Sequence, residues 1–314
     1  MTIAAVIVSY NSRVFLENNI RSLLEQSVRF QQIVVVDNFS SDDSLAVLDS
    51  FNHAIDVIRL DYNSGYSQAV NMGIRATKSD LILVANADII LEPTFNARVL
   101  EKFNTDMAIG LLSPLILRFD RDTVDSAGQA CSRALYPAEI GYNQPKKNVD
   151  IHERTVFSVC GAATVFSRWA LEALKMGEEY YDEDFFIFWE DFDIGWRAHL
   201  LGIKTIFFPD ALVYHFRSAT LKRNFLSRFS LALTRPAFIK YHLVKNRYLT
   251  LIKNFRFRLN YRHIPFVILK DIVWVLLLTF SSPKIIIRLM KSGKYIKRAF
   301  IKRAEIDSRM KNGS

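Results

Sequence analysis

Four apolar runs, each closed by a polar turn and followed by a helix-like stretch, fill the first 90 residues or so and leave few folds open. Ile3 to Ser9, Ile33 to Asp37, Val57 to Asp61 and Leu81 to Asn86 are short apolar runs bounded by polar turn residues, which is the pattern of strands. Between them Phe15, Ile20, Leu23 and Leu24, then Leu45, Leu48 and Phe51, then Ala69, Met72, Ile74 and Ala76 give each connecting segment one apolar face. Such alternation builds an α/β sheet with mainly parallel strands, because a parallel crossover needs a covering helix. Ligands of these sheets gather at the carboxyl ends of the strands. The polar turns fall at those ends.

Farther along, a helix is expected after Pro93, a strand from Ile109 to Leu117, and a polar, irregular region from Arg118 to Glu153 that either covers a site or connects. Val156 to Phe166 reads as a strand through Cys160-Gly161-Ala162-Ala163, and Arg168 to Met176 as a helix. Lys204 to Phe208 and Ala211 to Tyr214 read as two short strands delivering His215 to a loop. Two cysteines, Cys131 and Cys160, are too few for a disulfide framework and fit a reducing cytosol. The chain enters its first strand without a basic leader, so that run is expected to be a buried strand and not a signal peptide.

Beyond Arg217 the pattern changes to long helical segments in which aromatic and aliphatic residues alternate with Lys and Arg. This places a boundary between residues 1–217 and a basic amphipathic extension, 218–314. From Ser218 on there are 22 Lys and Arg against 3 Asp and Glu, whereas the first 217 residues carry 19 against 29. An acidic body with a basic tail suggests that the tail meets a polyanion, either nucleic acid or an anionic membrane surface. Ile264 to Phe280 is apolar but interrupted by Lys270 and Asp271, short of the roughly 20 apolar residues of a spanning helix. It is expected to lie in the interface, Trp274 at the headgroup boundary and Lys284, Arg288, Lys291, Lys294, Lys297 and Arg298 toward anionic lipid. The alternative is a helical cap on the body.

Several residues have the chemistry of a site. Asp37-Asn38 ends the second strand, and Asn63-Ser64-Gly65-Tyr66 precedes a helix whose N-terminal amides suit an anion such as a diphosphate. Asn86-Ala87-Asp88 follows the fourth strand, where Asp88 suits a hard divalent cation and His215 an accompanying imidazole ligand. Trp189-Glu190-Asp191 closes the acidic aromatic stretch that begins at Tyr181, and its carboxylates suit either a general base or the first turn of a helix through Ile194, Trp196, Ala198 and Leu201.

The order of these features is more specific than any one of them. Val8-Ser9-Tyr10-Asn11, Val35-Val36-Asp37-Asn38, Asn63-Ser64-Gly65-Tyr66 with Asn71, Asn86-Ala87-Asp88, Cys160-Gly161-Ala162-Ala163, Trp189-Glu190-Asp191 and Tyr214-His215 together resemble the inverting family-two glycosyltransferases over about residues 3 to 217. The Asn-x-Asp turn and the Trp-Glu-Asp-x-Asp string are most similar to bacterial rhamnosyltransferases of cell-surface polysaccharide synthesis. The resemblance implies a GT-A fold, a nucleotide-sugar donor and a divalent metal, Mn²⁺ or Mg²⁺. It implies donor contacts at Ser9, Tyr10, Asn11, Asp37, Asn38, Asn63, Gly65, Asn71, Asn86 and Asp88, an acceptor side at Gly161, Ala162 and Trp189, and metal ligands at Asp88 and His215. Asp191 would be the catalytic base and Glu190 its neighbour toward the acceptor. Asn86 stands where the family's metal motif has its first acidic residue, which removes one negative charge from the metal site.

These expectations amount to a single displacement at an anomeric carbon, with dTDP-rhamnose as first donor and a UDP-hexose as runner-up. The acceptor is a saccharide, lipid-linked, and the enzyme sits on the inner face of the cytoplasmic membrane. A nucleotidyltransferase lacks support, since no Gly-rich, Lys-containing loop follows the first strand. A nucleic-acid binder working through the basic tail and a catalytically inactive scaffold are the competing classes.

Overall fold

The computed structural model describes residues 1–216 and 235–312; the boundary expected at residue 217 lies outside them. The first half is β1 (Ile3–Ser9), α1 (Arg13–Leu24), β2 (Gln32–Asp37), α2 (Ser44–Ser50), β3 (Asp56–Arg59), α3 (Tyr66–Arg75) and β4 (Leu81–Asn86). Strands β4, β1, β2 and β3 lie side by side and parallel, with Val6 paired to Val34 on one flank and Val84 on the other. Every residue of β1 is buried, because helices cover both faces of the sheet. The chain runs outward from β1 to β3 and then returns to place β4 on the other side. That reversal opens a crevice at the carboxyl ends of β1 and β4.

The second half is β5 (Ile89–Leu91), α4 (Phe95–Thr105), β6 (Ile109–Arg118), β7 (Thr123–Ser126), β8 (Gln129–Cys131), β9 (Pro137–Glu139), β10 (Gln144–Pro145), β11 (Arg154–Thr155), β12 (Ala163–Ser167), α5 (Arg168–Leu174), α6 (Glu190–Leu200) and β13 (Lys204–His215). β12 enters antiparallel between β4 and β6, and β13 runs parallel to β6. The long strands β1, β2, β4, β6 and β13 thus share one direction.

Three local expectations change. The region from Arg118 to Glu153 is not irregular, since β7 and β10 extend the sheet and β8 pairs with β9. The strand expected from Val156 begins only at Ala163; Val156 and Val159 are buried by packing, with a lone bridge between Ser158 and Gln129 instead of a ladder. The two short strands before His215 are one bent strand, its register against β6 slipping between Phe208 and Leu212 around Pro209.

The extension is helical: α7 (Ala237–Asn254), α8 (Phe257–Asn260), α9 (Ile264–Ser281), α10 (Pro283–Met290) and α11 (Gly293–Asn312). Much of its positive charge faces the body. Lys253, fully buried, bonds Asp182 and lies 2.8 Å from Asp193, while Lys302 reaches Asp182 at 2.5 Å and Glu179 at 2.7 Å. Arg298, expected to face lipid, pairs with Asp184. Burial raises the Asp182 carboxyl, but Lys253 and Lys302 overcome this and hold it below the ordinary range. The charge asymmetry therefore reports, in part, an internal contact: α7 and α11 cap the acidic loop.

Helix α9 differs in kind. The helical run Phe257–Ser281 is 25 residues long, and its most apolar 18-residue stretch has mean hydropathy 2.0 and is almost uncovered, so by length and composition it is sufficient to cross a membrane, contrary to the count made on its charge-free core. One face is nevertheless docked on the protein: Asp271 accepts from Arg247 Nη2 at 2.8 Å, and Leu278 is buried with Tyr241, Val244 and Ile285. Phe266, Leu269, Ile272, Val273, Leu276 and Phe280 point outward.

Candidate active site

The ends of β1, β2 and β4 and the turn after β3 surround a cavity of about 670 Å³, the size of a small-molecule site. Tyr10, Asn11, Asn38, Asn63, Gly65, Asn86 and Asp88 all line it, as the sequence led us to expect. Its floor is fixed by amides: Asn38 Nδ2 donates to Asn63 Oδ1 at 3.2 Å, and Ser64 N–H donates to Asn38 Oδ1 at 2.8 Å. Gly65 has φ +83°, and a Cβ there would stand 2.6 Å from Phe186 O, so glycine is required by both backbone and space.

Ser9 and Asp37 are buried and do not line the cavity; Asp37 Oδ2 accepts from Ser40 N–H at 3.0 Å. Asn71 is not a donor contact. It is buried, donates to Tyr181 O at 2.8 Å and Glu183 Oε1 at 3.0 Å, and accepts from Tyr181 N–H at 2.8 Å, which ties α3 to the acidic loop. The first amides of α3 are also taken, Gly65 N–H by Asn63 Oδ1 and Tyr66 N–H by Phe186 O. The expected anion-binding helix end is closed at those two groups.

His215 lies at the end of β13, buried, with Nε2 3.2 Å from Asp88 Oδ1 and Nδ1 2.8 Å from Asp125 Oδ2. Burial lowers its pKa, but hydrogen bonds to Asp125 and Asp88 outweigh this and raise it to about 9. Asp125, on β7, is a residue that sequence reasoning missed, because nothing in that region announces a pairing across the sheet. Among the described residues no three His, Cys, Asp or Glu side chains gather to enclose a metal. The Asp88 carboxylate, which lines the cavity, and the His215 imidazole buried against it are a donor set that fits a divalent cation such as Mn²⁺, completed by substrate phosphates.

A second cavity of about 500 Å³ contains Glu190, Asp191, Trp189, Gln129 and Glu139, and is bounded by Leu243 and Val244 of α7 and Trp274 of α9. The loop at residues 186–191 joins the two: Phe186 and Ile187 line the first, Phe188 to Asp191 the second. Asp191 Oδ2 accepts from Gly161 N–H and Gln129 Nε2, both at 2.9 Å, and Oδ1 accepts from Phe192 N–H at 2.7 Å. A carboxylate has about four acceptor sites, so one remains on Oδ1. A Cβ on Gly161 would lie 3.1 Å from Asp191 Oδ2, which explains glycine at that position. Ala162 does not line this cavity; its carbonyl accepts from Asn86 N–H at 3.0 Å and so links the two sides.

The paired acids are electrostatically distinct. Glu190 Oε2 is buried without a partner among the described residues, and burial, then the charge of Asp191, pushes its carboxyl up to about 8. Burial also raises Asp191, against the pull of Gly161, Phe192 and Gln129. Asp191 accepts three hydrogen bonds that favour its charged form and Glu190 has none of these, so Glu190 is the member that keeps its proton to the higher pH.

The sequence profile of Glycosyl transferase family 2 matches residues 4–174. A poly-beta-1,6-N-acetyl-D-glucosamine synthase of Staphylococcus epidermidis is 21% identical over 214 residues, 68% of this chain and 49% of that protein. The chain thus spans about half the length of the curated relatives it matches. Among solved structures, the mannosyltransferase PcManGT from Pyrobaculum calidifontis, in complex with GDP-Man and Mn²⁺, superposes with a TM-score of 0.56 over 98% of this chain and 85% of its own, at 15% identity. GalNAc-T7 with UDP, GalNAc and Mn²⁺ gives a TM-score of 0.60 over 80% of this chain and 48% of its own, at 17% identity. The fold is GT-A, and the chain belongs to glycosyltransferase family 2.

Proposed function

We propose that this protein is an inverting glycosyltransferase that moves rhamnose from dTDP-rhamnose to a hydroxyl of a lipid-linked oligosaccharide in cell-surface polysaccharide synthesis. The observation that carries the reading is the junction of two cavities at one loop. The first is built from strand-end residues and suits a nucleoside-diphosphate sugar; the second holds the Asp191 carboxyl, with an open acceptor site on Oδ1. Asp191 Oδ1 takes the proton of the acceptor hydroxyl as that oxygen bonds to the anomeric carbon. The bond from that carbon to the diphosphate oxygen breaks on the opposite face, so the configuration inverts and the diphosphate leaves unprotonated. Glu190, neutral near pH 7, is placed to donate to the acceptor. A divalent cation held by Asp88 and His215 would offset charge on the departing diphosphate.

A UDP-hexose is the second donor reading, favoured by the UDP in the GalNAc-T7 complex and by the name of the staphylococcal relative. The extension supports work at the inner membrane surface with α9 in the membrane plane. Crossing the bilayer would carry the Arg247–Asp271 pair and the Trp274 rim of a carboxylate-bearing cavity into hydrocarbon. The test is a thermal-shift screen of dTDP- and UDP-sugars with and without Mn²⁺ or Mg²⁺. A true donor at 100 times its Kd adds about 2.7 kcal/mol to stability, a shift of roughly 5 °C. No shift with any of them removes the reading.

A further inference from the structure

The loop from Asp184 to Asp191 is held from two sides. On the donor side Tyr66 N–H donates to Phe186 O at 2.7 Å. On the other side Asn246 of α7, fully buried, donates from Nδ2 to Ile187 O and Phe188 O, both at 2.8 Å, and Lys245 Nζ donates to Asp184 O at 2.5 Å. Between these anchors Phe188 and Trp189 have φ of 72° and 75°, a left-handed conformation that bulky residues avoid. Trp189 directly precedes Glu190, so this turn sets the direction in which the first turn of α6 presents both carboxylates.

We propose that Asn246 is a positioning residue for Glu190 and Asp191, through which the C-terminal helices take part in the transfer chemistry. The chemical half rests on the glycosyltransferase reading; the clamp does not. An amide is suited to the task because its single nitrogen carries two N–H donors, enough for carbonyls on consecutive residues. Among the described residues Asn246 Oδ1 has no hydrogen-bond partner, so the hydrogen bonds of this side chain to those residues all go to the loop. Arg247, the next residue, bonds Asp271 of α9, which places the clamp and the outward apolar face on one connected pair of helices.

The test uses the full chain with Asn246→Asp, which keeps the shape and loses both donors, and Asn246→Ala. Leu278→Ala, which weakens the apolar contact of α9 with α7 and leaves the Asn246 bonds to the loop in place, serves as the control for general destabilisation. Hydrogen exchange at residues 186–192 and turnover of dTDP-rhamnose, or of UDP-N-acetylglucosamine if the screen selects it, are measured together. Loss of the two bonds should speed exchange at least about tenfold and lower kcat by about tenfold or more, with donor KM within about twofold. The proposal is overturned if exchange in this segment is unchanged, or if Leu278→Ala at an equal loss of Tm lowers kcat as much. Should one Asn246 variant not fold, the other decides by the same readings. If the wild type consumes neither sugar nucleotide the glycosyltransferase reading fails, and the exchange result alone upholds or removes the clamp.

Discussion

Replacing Glu190 by glutamine should change stability little at pH 5 and raise it at pH 8.5. The Glu190 carboxyl is pushed from 4.5 to about 8, by burial first and by Asp191 second. Its folded-state value lies above its unfolded value, so the stability it contributes is fully present below pH 4.5 and is lost as pH rises through about 8. Glutamine keeps a neutral amide at every pH and escapes that loss. At about 1.36 kcal/mol per pH unit the rise corresponds to a ceiling of roughly 5 kcal/mol. Glu190 is partly exposed at the cavity wall, and solvent screening brings the expected gain at pH 8.5 to about 2 kcal/mol. Urea denaturation of both proteins at the two pH values measures it. A glutamine variant equally displaced at pH 5 and 8.5, or less stable at pH 8.5, would refute the reasoning that the proton of the pair sits on Glu190.

Lys253→Met should cost about 3 kcal/mol in urea denaturation, because it leaves the buried Asp182 and Asp193 short of their shared cation; a loss below about 1 kcal/mol would deny that α7 is clasped to the body through charge. Asp125→Asn should weaken Mn²⁺ binding about 10- to 100-fold by electron paramagnetic resonance, since a carboxylate behind a ligating histidine orients the ring. Unchanged Mn²⁺ affinity would remove His215 from the metal site or Asp125 from its support.

The sheet was legible because its central strands are buried on both faces and read as unbroken apolar runs: Ile3–Ser9 and Leu81–Asn86 begin and end where expected. The strand-end residues of the donor cavity were legible for the same reason, since a turn after such a run has only one place to be. Asn71 misled because a buried Asn serves a backbone as readily as a ligand, and its spacing from Gly65 does not tell which. Gln129, Asp125 and Asn246 were out of reach, each meeting its partner across 58 to 90 residues of chain. The basic tail was read as seeking an outside polyanion; composition counts charges but not their partners, and Lys253 and Lys302 find theirs in the acidic loop.

The most direct test of the account is Asp191→Asn, assayed with the sugar nucleotide that the thermal-shift screen identifies. The amide oxygen that replaces Oδ2 can still accept from Gly161 N–H and Gln129, at the loss of the bond from Phe192 N–H, so the loop should stand and the nucleotide Kd should hold within about twofold, while turnover falls by about 10²- to 10⁴-fold with the loss of the proton acceptor. Wild-type turnover in a folded Asp191→Asn protein would contradict it.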